Sequence, residues 1–145
     1  VETAARGASG IIIQFPFYAG IMGMMLHSGL AQVISDWFVA ISTADTLPLF
    51  TFWAAGLVNI FVPSGGGQWA VQGPIMIQAA QELGADLAKV AMAVAWGDAW
   101  TNMIQPFWAL PALAIAGLRA KDIMGYCLII LVVSGIVVSL GFVLL

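Results

Sequence analysis

The residue order predicts an all-α integral membrane protein with three membrane-crossing helices, one of them broken, and a re-entrant helical hairpin. Three observations carry that expectation. The 145 residues are 62% hydrophobic and 8% charged, with a mean hydropathy of +1.03, whereas a soluble domain carries about 25% charged residues. Apolar stretches recur at lengths suited to a hydrocarbon layer that takes about 20 helical residues to cross. Proline and glycine interrupt two of these stretches in their middle, and within a bilayer such irregular backbone is tolerated where other protein or a water-filled cavity satisfies it.

Each element follows in order. Residues 8–34 are long enough to cross, and Pro16 and several glycines are tolerable kinks inside a bundle. Residues 35–45 mix Asp36, Ser42, Thr43 and Asp45 with Trp37 and Phe38, a composition for an interfacial connection. Residues 46–83 hold two apolar arms, 47–62 and 69–81, separated by Pro63, Ser64, Gly65, Gly66, Gly67 and Gln68. Pro63 ends the first arm, and the three glycines let the chain turn. Either a re-entrant hairpin or one long broken helix fits that pattern. Residues 90–117 form a crossing helix broken at Thr101, Asn102, Gln105 and Pro106. Residues 123–145 form an uninterrupted crossing helix, packing through Gly135 and Ser139 at small-xxx-small spacing.

Charge chooses between the two readings of 46–83. With a hairpin, Arg6, Arg119 and Lys121 share one side and Lys89 stands alone on the other; with a crossing, the split is two against two. The positive-inside rule favours the first, which places Arg119 and Lys121 in the cytoplasm and the C-terminus outside. The same scarcity of basic residues excludes nucleic acid as a partner, since no run of Lys or Arg can neutralise phosphates. Cys127 is the single cysteine and lies in an apolar run, and His27 has no companion at metal-ligand spacing. No cofactor or resident metal is expected. No signal-peptide pattern precedes Gly10. The chain starts at Val1 and is short for a complete transporter built from two repeats, so it is expected to be a piece of a longer polypeptide or the shortened product of an incomplete gene.

Two clusters carry candidate chemistry. Around Ser64, Gly65, Gly66, Gly67 and Gln68 the glycines expose backbone amides, and a helix beginning near Trp69 turns its positive end toward them. A carboxylate suits that place, with Ser64 and Gln68 adding polar groups and freed carbonyls available to a cation. A tight turn buried against another helix is the plainer alternative. Asp98, Thr101, Asn102 and Gln105 recur at i, i+3, i+4 and i+7, which puts them on one helix face among Trp96, Trp100 and Trp108. An acid inside an apolar segment marks a cation ligand, a protonatable group or the partner of a base; polar helix packing would explain the other three. Asn59, one turn before the break, and Trp69 are secondary candidates. An enzyme with Ser64 as nucleophile and His27 as base lacks a nucleophile-elbow or HExxH setting, and no enzyme is expected.

The segments Asn59-Ile60-Phe61-Val62-Pro63-Ser64-Gly65-Gly66-Gly67-Gln68-Trp69-Ala70 and Gly97-Asp98-Ala99-Trp100-Thr101-Asn102-Met103-Ile104-Gln105-Pro106-Phe107-Trp108 together resemble the bacterial short-chain fatty acid transporter family. The resemblance covers essentially the whole chain. It implies cation-coupled uptake, with Na+ or H+, of acetoacetate, butyrate or similar acids across the bacterial inner membrane. It further implies one repeat of an inverted-repeat transporter, in which 64–68 form a hairpin tip facing the unwound 101–105. The expected partners are the carboxylate, membrane lipid, a missing N-terminal repeat and further copies of the protein. A non-transporting membrane subunit, or a carrier of another small organic anion, is the alternative.

Overall fold

The computed structural model describes residues 2–105 and 109–144, which form seven α-helices and, among the described residues, no strand. They are α1 (Glu2–His27), α2 (Leu30–Ala40), α3 (Leu47–Asn59), α4 (Gly65–Leu83), α5 (Leu87–Thr101), α6 (Leu110–Ala116) and α7 (Ala120–Leu144), with a 3₁₀ turn, Asn102–Ile104, directly after α5. The expected break at Pro106 and the aromatic neighbour Trp108 lie outside the described residues. Segments of two helices, Ala8–His27 and Ala120–Leu144, are long and apolar enough to cross a membrane. Much of their apolar surface is exposed: in α7 the buried residue is Gly135, while Leu128, Ile129, Val132, Val133, Ile136 and Val137 are open.

Several boundaries differ from those read in the sequence. The helix expected over 8–34 is two helices, because Gly29 adopts φ 72° and accordingly stops α1 from running on. The second continues to Ala40, so most of the expected interfacial connection is helical. The three glycines at 65–67 are not the turn. They form the first helical turn of α4 with negative φ, and the reversal is made by Ile60–Ser64. Only Gly84–Asp86 joins α4 to α5, with Gly84 at φ 72° ending α4. Asp86 caps α5 by accepting from the Ala88 and Lys89 amides at 2.8 and 3.0 Å. The Lys89 amide is the main cause holding its carboxyl below the usual range.

Helix α3 is the core. It buries Leu47, Pro48, Thr51, Phe52, Ala54, Ala55, Gly56, Val58 and Asn59, and its most extensive contact is with α5. That contact is backbone to backbone. A Cβ on Gly97 would collide with the Phe52 carbonyl oxygen and lie 2.6 Å from the Ala55 Cβ. Helix α4 doubles back along α3: Gln68 bonds Ala55 near the break, and Thr51 meets Met76 farther along, so pairs of residues move apart in sequence as they leave the break. Away from the break, Phe38, Leu47, Ala79, Ala80, Val90 and Val94 close one apolar cluster; next to it, Met25, Ala31, Val58 and Val62 close another.

Trp100 fixes α7 to this core. Its ring fills the space left by Gly56 on α3 and Gly135 on α7, where a Cβ would lie 2.8 and 2.6 Å away, and its Nε1 donates to the Leu131 carbonyl at 2.8 Å. Trp53 Nε1 donates to Ser139 Oγ at 3.0 Å. Gly135 and Ser139 are thus both contact points of α7.

Candidate functional site

The site begins with a missing hydrogen. Asn59 ends α3, and the residue four positions on, which would donate to its carbonyl in a continuing helix, is Pro63, which has no N–H. Gln105 supplies that donor from the other motif: its Nε2 reaches the Asn59 carbonyl at 2.6 Å. Two more carbonyls near the end of α3 are met in the same way. Thr101 Oγ1 donates to Gly56 O at 2.9 Å, and Gln68 Nε2 to Ala55 O at 2.8 Å. Three of the sequence-predicted site residues therefore spend a donor on the backbone of α3.

Asn59, a secondary candidate from sequence, is the centre of the polar assembly and is fully buried. Its Nδ2 faces Asp98 O at 2.7 Å, Thr101 Oγ1 at 3.0 Å and Asn102 Oδ1 at 2.9 Å. Two of these are obligate acceptors, a carbonyl and an amide oxygen, which fixes the amide with its nitrogen toward α5. The opposite atom, Oδ1, is left buried without a protein partner, as are Gln68 Oε1, Asp98 Oδ1 and Gln105 Oε1. Every unpaired buried side-chain atom among the described residues of the two motifs is an oxygen. Nearby, Gln72 is also fully buried, accepts from Gln68 Nε2 at 3.0 Å and leaves its Nε2 unpaired.

On the other side of the break, Ser64 is extended (φ −153°, ψ 105°) and caps α4, its Oγ accepting from the Gly67 amide at 3.3 Å and its carbonyl from Gln68 at 2.7 Å. The amides of Gly65 and Gly66 precede any intrahelical acceptor, as first-turn amides do, and both residues are exposed. The three glycines differ in their surroundings. A Cβ on Gly65 would lie 3.5 Å from Asp98 Oδ2, one on Gly66 would meet nothing within 4 Å, and one on Gly67 would press on Ser64 Oγ and Met22 Sδ at 3.1 and 3.4 Å. Gly65 thus stands beside the Asp98 carboxylate, which joins the two motifs.

The placement of the remaining candidates is mixed. Asp98, Thr101 and Asn102 share a face because α5 runs through Thr101, but the helix gives way to a 3₁₀ turn and Gln105 is extended (φ −100°, ψ 93°). Gln105 thus reaches Asn59 through that turn and not by the helical register its spacing implied. Trp69 lies half open, its ring over Gly73 on its own helix, and Trp96 is half exposed. A cavity of about 160 Å³ opens beside Ser64, lined by Phe15, Tyr18, Ala19, Met22 and Pro63. Sequence reading did not associate α1 with the site, nor Gln72. The signals were an i, i+3, i+4, i+7 stripe in α1 and a glutamine one turn after Gln68.

Comparison with known proteins agrees with the resemblance drawn from the motifs. A family model described as short chain fatty acid transporter matches residues 1–145. Two curated relatives, from Escherichia coli and Haemophilus influenzae, are 56% and 51% identical over 97% of this chain, and both carry the name “putative short-chain fatty acid transporter”. The chain spans 32% of the length of each. No solved structure matches. With its long, exposed apolar helices this is a membrane protein, and it belongs to the short chain fatty acid transporter family.

Proposed function

We propose that the chain is the C-terminal part of a cation-coupled secondary transporter of short-chain monocarboxylates such as acetoacetate or butyrate, and that it supplies one half of a midplane binding site. The observation that carries the reading is the meeting of the α4 N-terminus with the end of α5 at Gly65 and Asp98. The free amides of Gly65 and Gly66, the Ser64 hydroxyl and the positive end of the 19-residue α4 form the anion side. The unpaired oxygens of Asn59, Asp98 and Gln105 form the cation side, since hard cations take oxygen ligands.

Coupling follows from electrostatics. A substrate carboxylate brought near Asp98 meets a like charge, worth about 4 kcal/mol at ~4 Å and an effective dielectric near 20. A sodium ion on the oxygens, or a proton on Asp98, removes that repulsion, so anion and cation bind together. Which of the two ions serves is decided by uptake under separate gradients.

Helices α3 and α4 are read as the re-entrant hairpin. Helix α3, at 13 residues, is about 20 Å long, short of the roughly 30 Å hydrocarbon layer, and α4 returns along it. Helices α5 and α6 then make the broken crossing beside α1 and α7. Leu110 lies against Gly10, consistent with Arg6, Arg119 and Lys121 sharing the cytoplasmic side of a bacterial inner membrane and the C-terminus lying outside. The exposed faces of α1 and α7 are left for lipid, the rest of the transporter or a second copy.

A second reading, a non-transporting membrane subunit, draws on the donors of Gln68, Thr101 and Gln105 being spent on α3. Substitution in the intact polypeptide separates the two. Ser64→Ala and Asp98→Asn are expected to lower carboxylate uptake into vesicles while membrane insertion and expression stay at the parental level. Uptake kinetics unchanged in both variants would rule out the transport assignment of these residues.

A further inference from the structure

We propose that the cavity between α1 and the Ser64 end of the break holds the aliphatic tail of the transported acid, and that Ala19 and Met22 set the tail length it accepts. The inference rests on the transport reading above and adds to it the residues that measure the substrate. Phe15, Tyr18, Ala19 and Met22 recur at helical spacing on one face of α1 and close the cavity with Pro63 and Ser64. The lining is apolar apart from two hydroxyl-bearing side chains, those of Ser64 and Tyr18. Ser64 is also the cap of α4, so the space adjoins the helix end where the carboxylate is placed.

The dimensions point the same way. A cavity of about 160 Å³ corresponds to roughly five waters at ~30 Å³ each, the scale of an acid of a few carbons. Pockets for drug-sized ligands run to about 300–1,000 Å³. Ala19 is the smallest side chain of the lining, so its methyl leaves the room that a larger residue would take. Met22 reaches from α1 to the first turn of α4, its sulfur 3.4 Å from where a Cβ on Gly67 would lie. A flexible thioether there can follow the contour of a short chain, and its truncation lengthens the space.

The test measures uptake of straight-chain acids of increasing length by the intact transporter in vesicles. It compares the parent with Ala19→Leu, which fills the cavity, and Met22→Ala, which enlarges it. A methylene in an apolar pocket is worth about 10-fold or more in specificity. Ala19→Leu is therefore expected to raise the butyrate KM about 10-fold relative to acetate, and Met22→Ala to shift preference toward longer acids. The opposite directions of the two variants separate tail fit from general damage to folding. If the parent transports these acids and neither variant alters the ratio of KM values, the tail pocket is wrong and the transport reading stands. If the parent takes up none of them, both are wrong.

Discussion

Asn59 is a single residue on which both halves of the site depend. Its side-chain nitrogen holds the end of α5, and its carbonyl, deprived of a helical donor by Pro63, is taken by Gln105. Removing the amide leaves the Asp98 carbonyl and the Asn102 oxygen without that donor in a buried setting, at a cost of about 1–3 kcal/mol. Asn59→Leu is accordingly expected to lower the denaturation midpoint in detergent, and Asn59→Asp to lower it further, because an oxygen would then face those acceptors. Unchanged midpoints in both variants would show that the network contributes nothing to folding. The same residue shows the limit of reading roles from spacing. The sequence placed Asn59 one turn before the break, but that Pro63 would orphan the Asn59 carbonyl and Gln105 repair it depends on which helices become neighbours.

At the scale of elements, the close crossing of α3 and α5 positions the site. Gly97 lies against Phe52 and Ala55, and three residues of helix separate it from Thr101 at the polar end. Even one methyl at Gly97 must push the helices apart, an overpacking cost of about 1–3 kcal/mol. Gly97→Ala is expected to lower thermal stability and, by shifting Asp98 away from Gly65, to weaken carboxylate uptake; Gly66→Ala, at a position with open space around it, should leave thermal stability near the parental value. Equal melting temperatures for Gly97→Ala and the parent would contradict the close-packed crossing. The helical segments and the interruption at Pro63 were legible because hydropathy and proline act locally. Their exact ends were less so: Gly29 takes the left-handed conformation that divides the first helix, whereas Gly65, Gly66 and Gly67, which looked more disruptive, are helical. Glycine permits a turn without requiring one, and the neighbouring packing decides. The partnership of α1 with the break was not legible, because it joins residues about 45 apart through a face that reads as ordinary apolar helix.

At the scale of the molecule, composition specified the membrane class and two motifs specified the family, while the proposed contribution to transport rests on the joining of those motifs. Long apolar faces on α1 and α7 remain exposed, and the chain spans about a third of its curated relatives. On the proposed reading, in which a hairpin tip and a broken helix make half of an inverted-repeat site, the intact polypeptide is the object to assay. The most direct measurement is uptake of radiolabelled butyrate into vesicles containing it, with sodium and proton gradients imposed separately, for the parent and for Asp98→Asn. The expected result is accumulation by the parent that follows one of the two gradients and is lost or uncoupled in Asp98→Asn. Absence of butyrate accumulation under either gradient, or identical gradient dependence in parent and variant, would contradict a carboxylate site coupled through Asp98.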